Sequence, residues 1–155
     1  MEKRELNQLV EDFKKVAQLA GVDLANGSIT VEKLDAPHSP PSSLPSGEMA
    51  VYVFMWGDKC LKVGKVGPKS QARYTSQHYN PKSSNSNLAK SILKHKKEPG
   101  LASLTDSKVG NWIESNTDRI NYILNMELGI WVLSLLEAFL QCRLRPKFEG
   151  FDSQR

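Results

Sequence analysis

What the chain lacks bounds it before anything it contains. No apolar run approaches the roughly 20 residues needed to cross a bilayer, and the opening MEKRELNQLV has no apolar stretch behind its charges. Neither a membrane span nor a secretory leader is expected, and a cytoplasmic address is the default. Cysteine is scarce: Cys60 and Cys142 stand far apart, and neither belongs to a CxxC or Cys/His cluster. That spacing speaks against a structural zinc site, and both are read as reduced thiols, one on a strand and one on a helix. Acidic residues are absent from one long stretch. Between Lys59 and Lys97 there are ten basic residues and no acidic one.

The formal charge of +4 conceals this asymmetry. Residues 1–48 hold five Lys/Arg and eight Asp/Glu, a net of −3, whereas residues 49–155 hold sixteen and nine, a net of +7. A solvated face normally mixes signs, so a one-signed stretch points to a polyanion. Nucleic acid ranks ahead of membrane because no amphipathic apolar face accompanies the charge. A basic patch without a ligand is the plain alternative. The length of 155 residues suits one domain with a real core.

Apolar residues recur at three- and four-residue steps over 2–20 (Leu6, Leu9, Val10, Phe13, Val16, Ala17, Ala20), which predicts an amphipathic helix stopped at Gly21. A short strand-like piece, SITVEKL, follows. The stretch APHSPPSSLPSGE then packs four prolines and four serines into residues 36–48 and reads as an extended linker, with His38 solvated inside it. From Met49 the pattern changes. MAVYVFMW and CLKV flank a GDK turn and predict a β-hairpin. SQARYTSQHY predicts a helix with Ser70 as its cap, and SSNSNLAKSILKHKK a second helix beginning near Ser86. DSKVGNWIES is a weaker helical segment. DRINYILN alternates as a third strand would. NMELGIWVLSLLEAFLQCRL is apolar nearly all round and reads as the central packing helix, ended by Pro146.

The glycines of KVGKVGPKS do not form a nucleotide loop. Gly64 and Gly67 stand three apart with no GK[ST] after them, and no G-x-G-x-x-G is present. Another pattern fits. Ala50-Val51-Tyr52 lies on the first hairpin strand and Lys62-Val63-Gly64 on the second; Arg73 follows Gly64 by nine residues, and Glu137 stands in the apolar helix ahead of RPKFEG. This arrangement resembles the GIY-YIG nuclease family over roughly Met49 to Gly150. Ala50 replaces a glycine. Lys62 replaces the second tyrosine, as in some restriction-enzyme members. Glu149 lies where the family has an asparagine.

The resemblance implies a small α+β fold, a three-stranded antiparallel sheet flanked by helices. An N-terminal accessory helical segment (1–35), the linker (36–48) and the nuclease-like domain (49–155) are expected in that order. It also implies a metal-dependent endonuclease with a one-metal site for Mg²⁺ or Mn²⁺ at Glu137, and catalytic roles for Tyr52, Lys62, Arg73 and Glu137. DNA is the expected partner, with RNA left open. Cutting both strands with one site per chain favours a homodimer, for which the apolar face of residues 6–20 is the candidate contact.

The residues support those roles on physical grounds. A carboxylate among leucines and phenylalanine, as at Glu137, rarely stays ionised without a cation, and Mg²⁺ is often held by one carboxylate plus water and phosphate oxygens. Arg73 can fork two hydrogen bonds to phosphate. Lys62 beside Tyr52 favours the phenolate, making Tyr52 a better proton acceptor. Lys65 and Lys69 flank the glycine loop, Tyr74 and His78 interleave rings with charge, and Lys90 and Lys94 share one helix face, a track suited to a nucleic-acid backbone. Singly, each has a plain alternative: a core aromatic, an exposed lysine, a solvated arginine, a carboxylate facing water. Two other readings stay open, a module of the same fold that binds nucleic acid without cutting, and a protein-interaction module built on the N-terminal helix and the PxxP stretch.

Overall fold

The computed structural model describes residues 1–148. A four-stranded antiparallel sheet, ordered β1-β4-β2-β3, lies between two layers of helices. Its strands are β1 (Ile29–Leu34), β2 (Glu48–Trp56), β3 (Lys59–Val66) and β4 (Asp118–Asn125). The expected hairpin is β2–β3, turning at Gly57 with φ +59°, where a side chain would be strained. The sheet has one strand more than the three expected. SITVEKL pairs along most of β4, from Ile29 opposite Leu124 to Leu34 opposite Arg119. Without it, β4 would be an open edge.

One layer holds α1 (Lys3–Leu19) and α5 (Ile130–Leu144); the other holds α2 (Gln71–Thr75), α3 (Leu88–Lys94) and α4 (Val109–Asn116), with a 3₁₀ turn at Gln77–Tyr79. The sheet is covered on both faces, which is why β2 reads as an unbroken apolar run rather than an alternation. Met49, Val51, Val53 and Met55 point to the α1/α5 layer, Ala50, Tyr52 and Phe54 to the other.

Several expectations change. The apolar stripe of α1 is used inside the chain: Leu6, Leu9, Val10, Phe13 and Ala17 are buried in the core. It is therefore not free as a contact between copies. Ser70 makes no side-chain cap, and its helix is only five residues long. Asn87 caps α3 instead, its side chain accepting from the Lys90 amide at 2.8 Å. The long apolar helix starts only after Gly129; it packs on the sheet through Val132, Leu133, Leu136 and Leu140 as expected, but its other side is open, with Trp131 84% exposed. His38 is not solvated. It is buried, its Nδ1 donating to the Thr117 carbonyl (2.8 Å) and its Nε2 accepting from the Tyr79 hydroxyl (2.9 Å). Among the described residues no helix is long and apolar enough to cross a membrane.

Candidate functional site

The antiparallel register aligns side chains in rows across the sheet. On the face toward α2–α4 one row runs Glu32, Asn121, Tyr52, Gly64, and the next runs Leu34, Arg119, Phe54, Lys62. Every one of these polar groups except Glu32 is buried. Alternation thus sets Tyr52 and Lys62 on the same side of neighbouring strands, two residues out of step.

Gly64 lies directly opposite Tyr52, and its missing side chain makes room for the phenol. A Cβ there would stand 2.4 Å from the Tyr52 hydroxyl. The ring therefore lies flat over β3, an edge strand, and carries its oxygen toward the rim of the sheet. From α2, just after the Val66–Ser70 turn, Arg73 donates its Nε to that oxygen at 3.1 Å. Gln71 anchors the same helix by exchanging two hydrogen bonds with the Leu44 backbone, at 2.9 and 2.7 Å.

His78 packs on Tyr52 with ring centroids 4.6 Å apart. Burial, and after it the positive charges of Lys62, Arg119 and Arg73, hold its imidazole well below the ordinary value, so it is neutral. Its Nδ1 accepts from the Leu88 amide at 3.2 Å, which leaves the ring proton on Nε2. That buried N–H has no hydrogen-bond partner among the described residues. A donor without an acceptor, surrounded by three cations, is an environment that favours an anion.

The sequence candidates thus separate into groups. Tyr52, Lys62, Arg73 and His78 come together. Glu137 does not join them on that face: it projects from α5 in the other layer, and Lys65, opposite Val51 on that layer's side of β3, holds its carboxylate in an ion pair. Tyr52 and Glu137 therefore flank the edge strand from opposite faces, at Gly64 and Lys65. Tyr74 is buried with its hydroxyl pushed up to about 12, by desolvation first. Neither its ring nor that of His78 is open to a base. Lys69, Lys90 and Lys94 are exposed. Glu149 lies outside the described residues. Among the described residues no group of three or more His, Cys, Asp and Glu is placed to hold a metal.

Sequence reasoning passed over Arg119, Asn121 and His38. Arg119 is 0% exposed, its guanidinium donating to the Asn121 Oδ1, the Tyr79 hydroxyl and the Tyr74 carbonyl. The alternation in DRINYILN carried the signal for the first two, since helices on both sides of a sheet bury the polar half of a strand as well. Comparison with protein-family models, with curated proteins and with solved structures finds no match for this chain.

Proposed function

We propose that the protein is an endonuclease that hydrolyses phosphodiester bonds in DNA with Mg²⁺ or Mn²⁺, using a GIY-YIG-like site. One observation carries the reading: the Tyr52 hydroxyl, laid over Gly64 at the rim of an edge strand, receives the Arg73 guanidinium. Spacing alone linked these residues in the sequence; a hydrogen bond links them in the fold. In the proposed step Tyr52 as phenolate takes a proton from water, the water oxygen forms the new P–O bond, and the leaving oxygen departs with the electrons of the old one. Lys62 and Arg73 compensate the negative charge that builds on the phosphoryl oxygens. The exposed lysines of α3, Lys90 and Lys94, with Lys69, extend the positive surface for the neighbouring phosphates.

The donor set for the ion is one carboxylate, Glu137, which fits a divalent cation whose other positions are water and phosphate oxygens. Such an ion supplies charge compensation at the phosphate. Lys65 must release Glu137 for this, and an arriving phosphate is a suitable exchange partner for its ammonium.

A second reading, nucleic-acid binding without cleavage, is favoured by that same ion pair, which occupies the acid an ion needs. Supercoiled plasmid incubated with the protein and Mg²⁺, with and without chelator, separates the two. The nuclease reading expects nicking or linearisation that chelator abolishes and Glu137→Ala removes. Binding that falls steeply with salt, without any cutting, would support the second reading, and full metal-dependent cleavage by Glu137→Ala would remove the one-metal assignment.

A further inference from the structure

Arg119 takes no part in the chemistry described so far, yet it heads the largest side chains wholly out of water. A guanidinium is always charged, and buried charges are ordinarily paired with opposite ones. Among the described residues the three hydrogen-bond acceptors of Arg119 are neutral: Asn121 Oδ1 at 2.9 Å, the Tyr79 hydroxyl at 3.2 Å and the Tyr74 carbonyl at 2.6 Å. The carboxylate of Glu32 stands one residue further away, bound to the Asn121 amide. The remaining surroundings are ring faces. The guanidinium carbon lies 4.9 Å from the Tyr74 centroid, 5.3 Å from that of Phe54 and 5.6 Å from that of Tyr52.

Two consequences follow. Tyr74 belongs to α2, the helix that carries Arg73, and five residues have little helical stability of their own. The bond from Arg119 to the Tyr74 carbonyl ties that helix to β4. Second, a positive charge with no directly bonded carboxylate among the described residues, lying on the Tyr52 ring in a low-dielectric layer, favours negative charge on that ring.

We propose that Arg119 is a positioning residue for the reaction assigned above: it fixes the helix bearing Arg73 against the Tyr52 ring and holds a positive charge, with no direct carboxylate partner among the described residues, beneath that ring, readying its oxygen to accept a proton. The inference rests on the reading of Tyr52 as proton acceptor. Among the described residues, the groups facing Tyr52 include Arg73 from α2, Lys62 from β3, His78 from the 3₁₀ turn, and Arg119 and Asn121 from β4. Those facing Arg119 among the described residues include neutral His78, Tyr79 with neutral His38 behind it, and Tyr74 and Asn121, both with Glu32 behind them.

Two variants test this. Arg119→Met removes the cation. Asn121→Asp keeps every atom of Arg119 and places a carboxylate oxygen where the amide oxygen was, so it reports even if Arg119→Met does not fold. Each is measured for kcat and KM on plasmid across pH, and for tyrosine ionisation by NMR of ¹³Cζ-labelled protein. The Tyr52 signal is identified among the four tyrosines by its loss in Tyr52→Phe. Arg119→Met is expected to lower kcat on the order of 100-fold, with KM within about threefold of wild type. In both variants the Tyr52 midpoint moves up by about one unit or more, and the rising limb of the kcat–pH profile moves with it. An unmoved midpoint in Asn121→Asp, or a raised KM at constant kcat, overturns the proposal. Wild-type protein that cuts nothing, with a midpoint that moves as expected, defeats the nuclease reading and with it the positioning role, leaving only the effect of the Arg119 charge on the Tyr52 ring.

Discussion

The two faces of the sheet are made from alternate residues of the same strands, and they are finished in different ways. Toward α1 and α5 lie Met49, Val51, Val53, Ile120, Tyr122 and Leu124, a hydrocarbon layer in which the buried Tyr122 hydroxyl has no hydrogen-bond partner among the described residues. Toward α2–α4 the intervening positions bring in Tyr52, Lys62, Arg119 and Asn121, all buried, with His78 of the 3₁₀ turn packed on them, and a hydrogen-bonded chain runs from His38 through Tyr79, Arg119 and Asn121 to Glu32. The first face holds the molecule together by area removed from water. The second sacrifices some of that stability, because buried polar groups return little net energy and cost much when left unmatched. What it retains instead is fixed geometry around one phenol.

The contrast is testable by substitutions on each face. The largest loss of stability is expected on the hydrocarbon side. Leu133→Ala removes a fully buried side chain and should cost about 2–5 kcal/mol in urea unfolding, while cleavage per folded molecule stays at the wild-type level. A parallel loss of specific activity would break the division of labour. On the polar side, Gly64→Ala forces a methyl to within 2.4 Å of the Tyr52 hydroxyl, and the 0%-exposed ring can move aside only by displacing its packed neighbours. A cost of about 1–3 kcal/mol is expected, this time with cleavage lost as well, since the phenol must tilt away from Arg73.

The smallest effect is one of pH. His78 is neutral in the fold because burial and three cations depress its ionisation. Above the unfolded value of about 6.5 both states are neutral and nothing changes. As pH falls below that value the unfolded chain gains a proton that the folded one refuses, so stability declines toward the folded value. The slope from this residue is up to about 1.4 kcal/mol per pH unit. Urea midpoints between pH 7 and 5 for wild type and His78→Gln measure it, and equal slopes would show that His78 is not held neutral.

The sequence carried the face that folds the protein more openly than the face proposed to work. The stripe of α1, the β2–β3 hairpin and β4 are all legible as period and punctuation. The extra strand β1 was visible as SITVEKL, but its place beside β4 is a long-range pairing that local pattern does not encode. The same limit applies to the site. Tyr52, Lys62 and Arg73 share a hairpin and the helix that follows it, so their spacing is local enough to predict their meeting. Glu137 comes from a distant helix, and no spacing told which face of β3 it would reach. Arg119 and Asn121 are the polar half of an alternating strand, and that pattern does not show that α2–α4 cover them. His38 looked like linker, and only the folded chain brings Tyr79 and the Thr117 carbonyl to its ring.

The central claim, that the polar face works through the Tyr52 oxygen, is tested most directly by Tyr52→Phe in a Mg²⁺-dependent plasmid-cleavage assay, scored per folded molecule. The ring stays and only the oxygen leaves, so the fold is expected to persist while the rate falls by about 10²–10⁴. Cleavage at the wild-type rate by this variant would contradict the account.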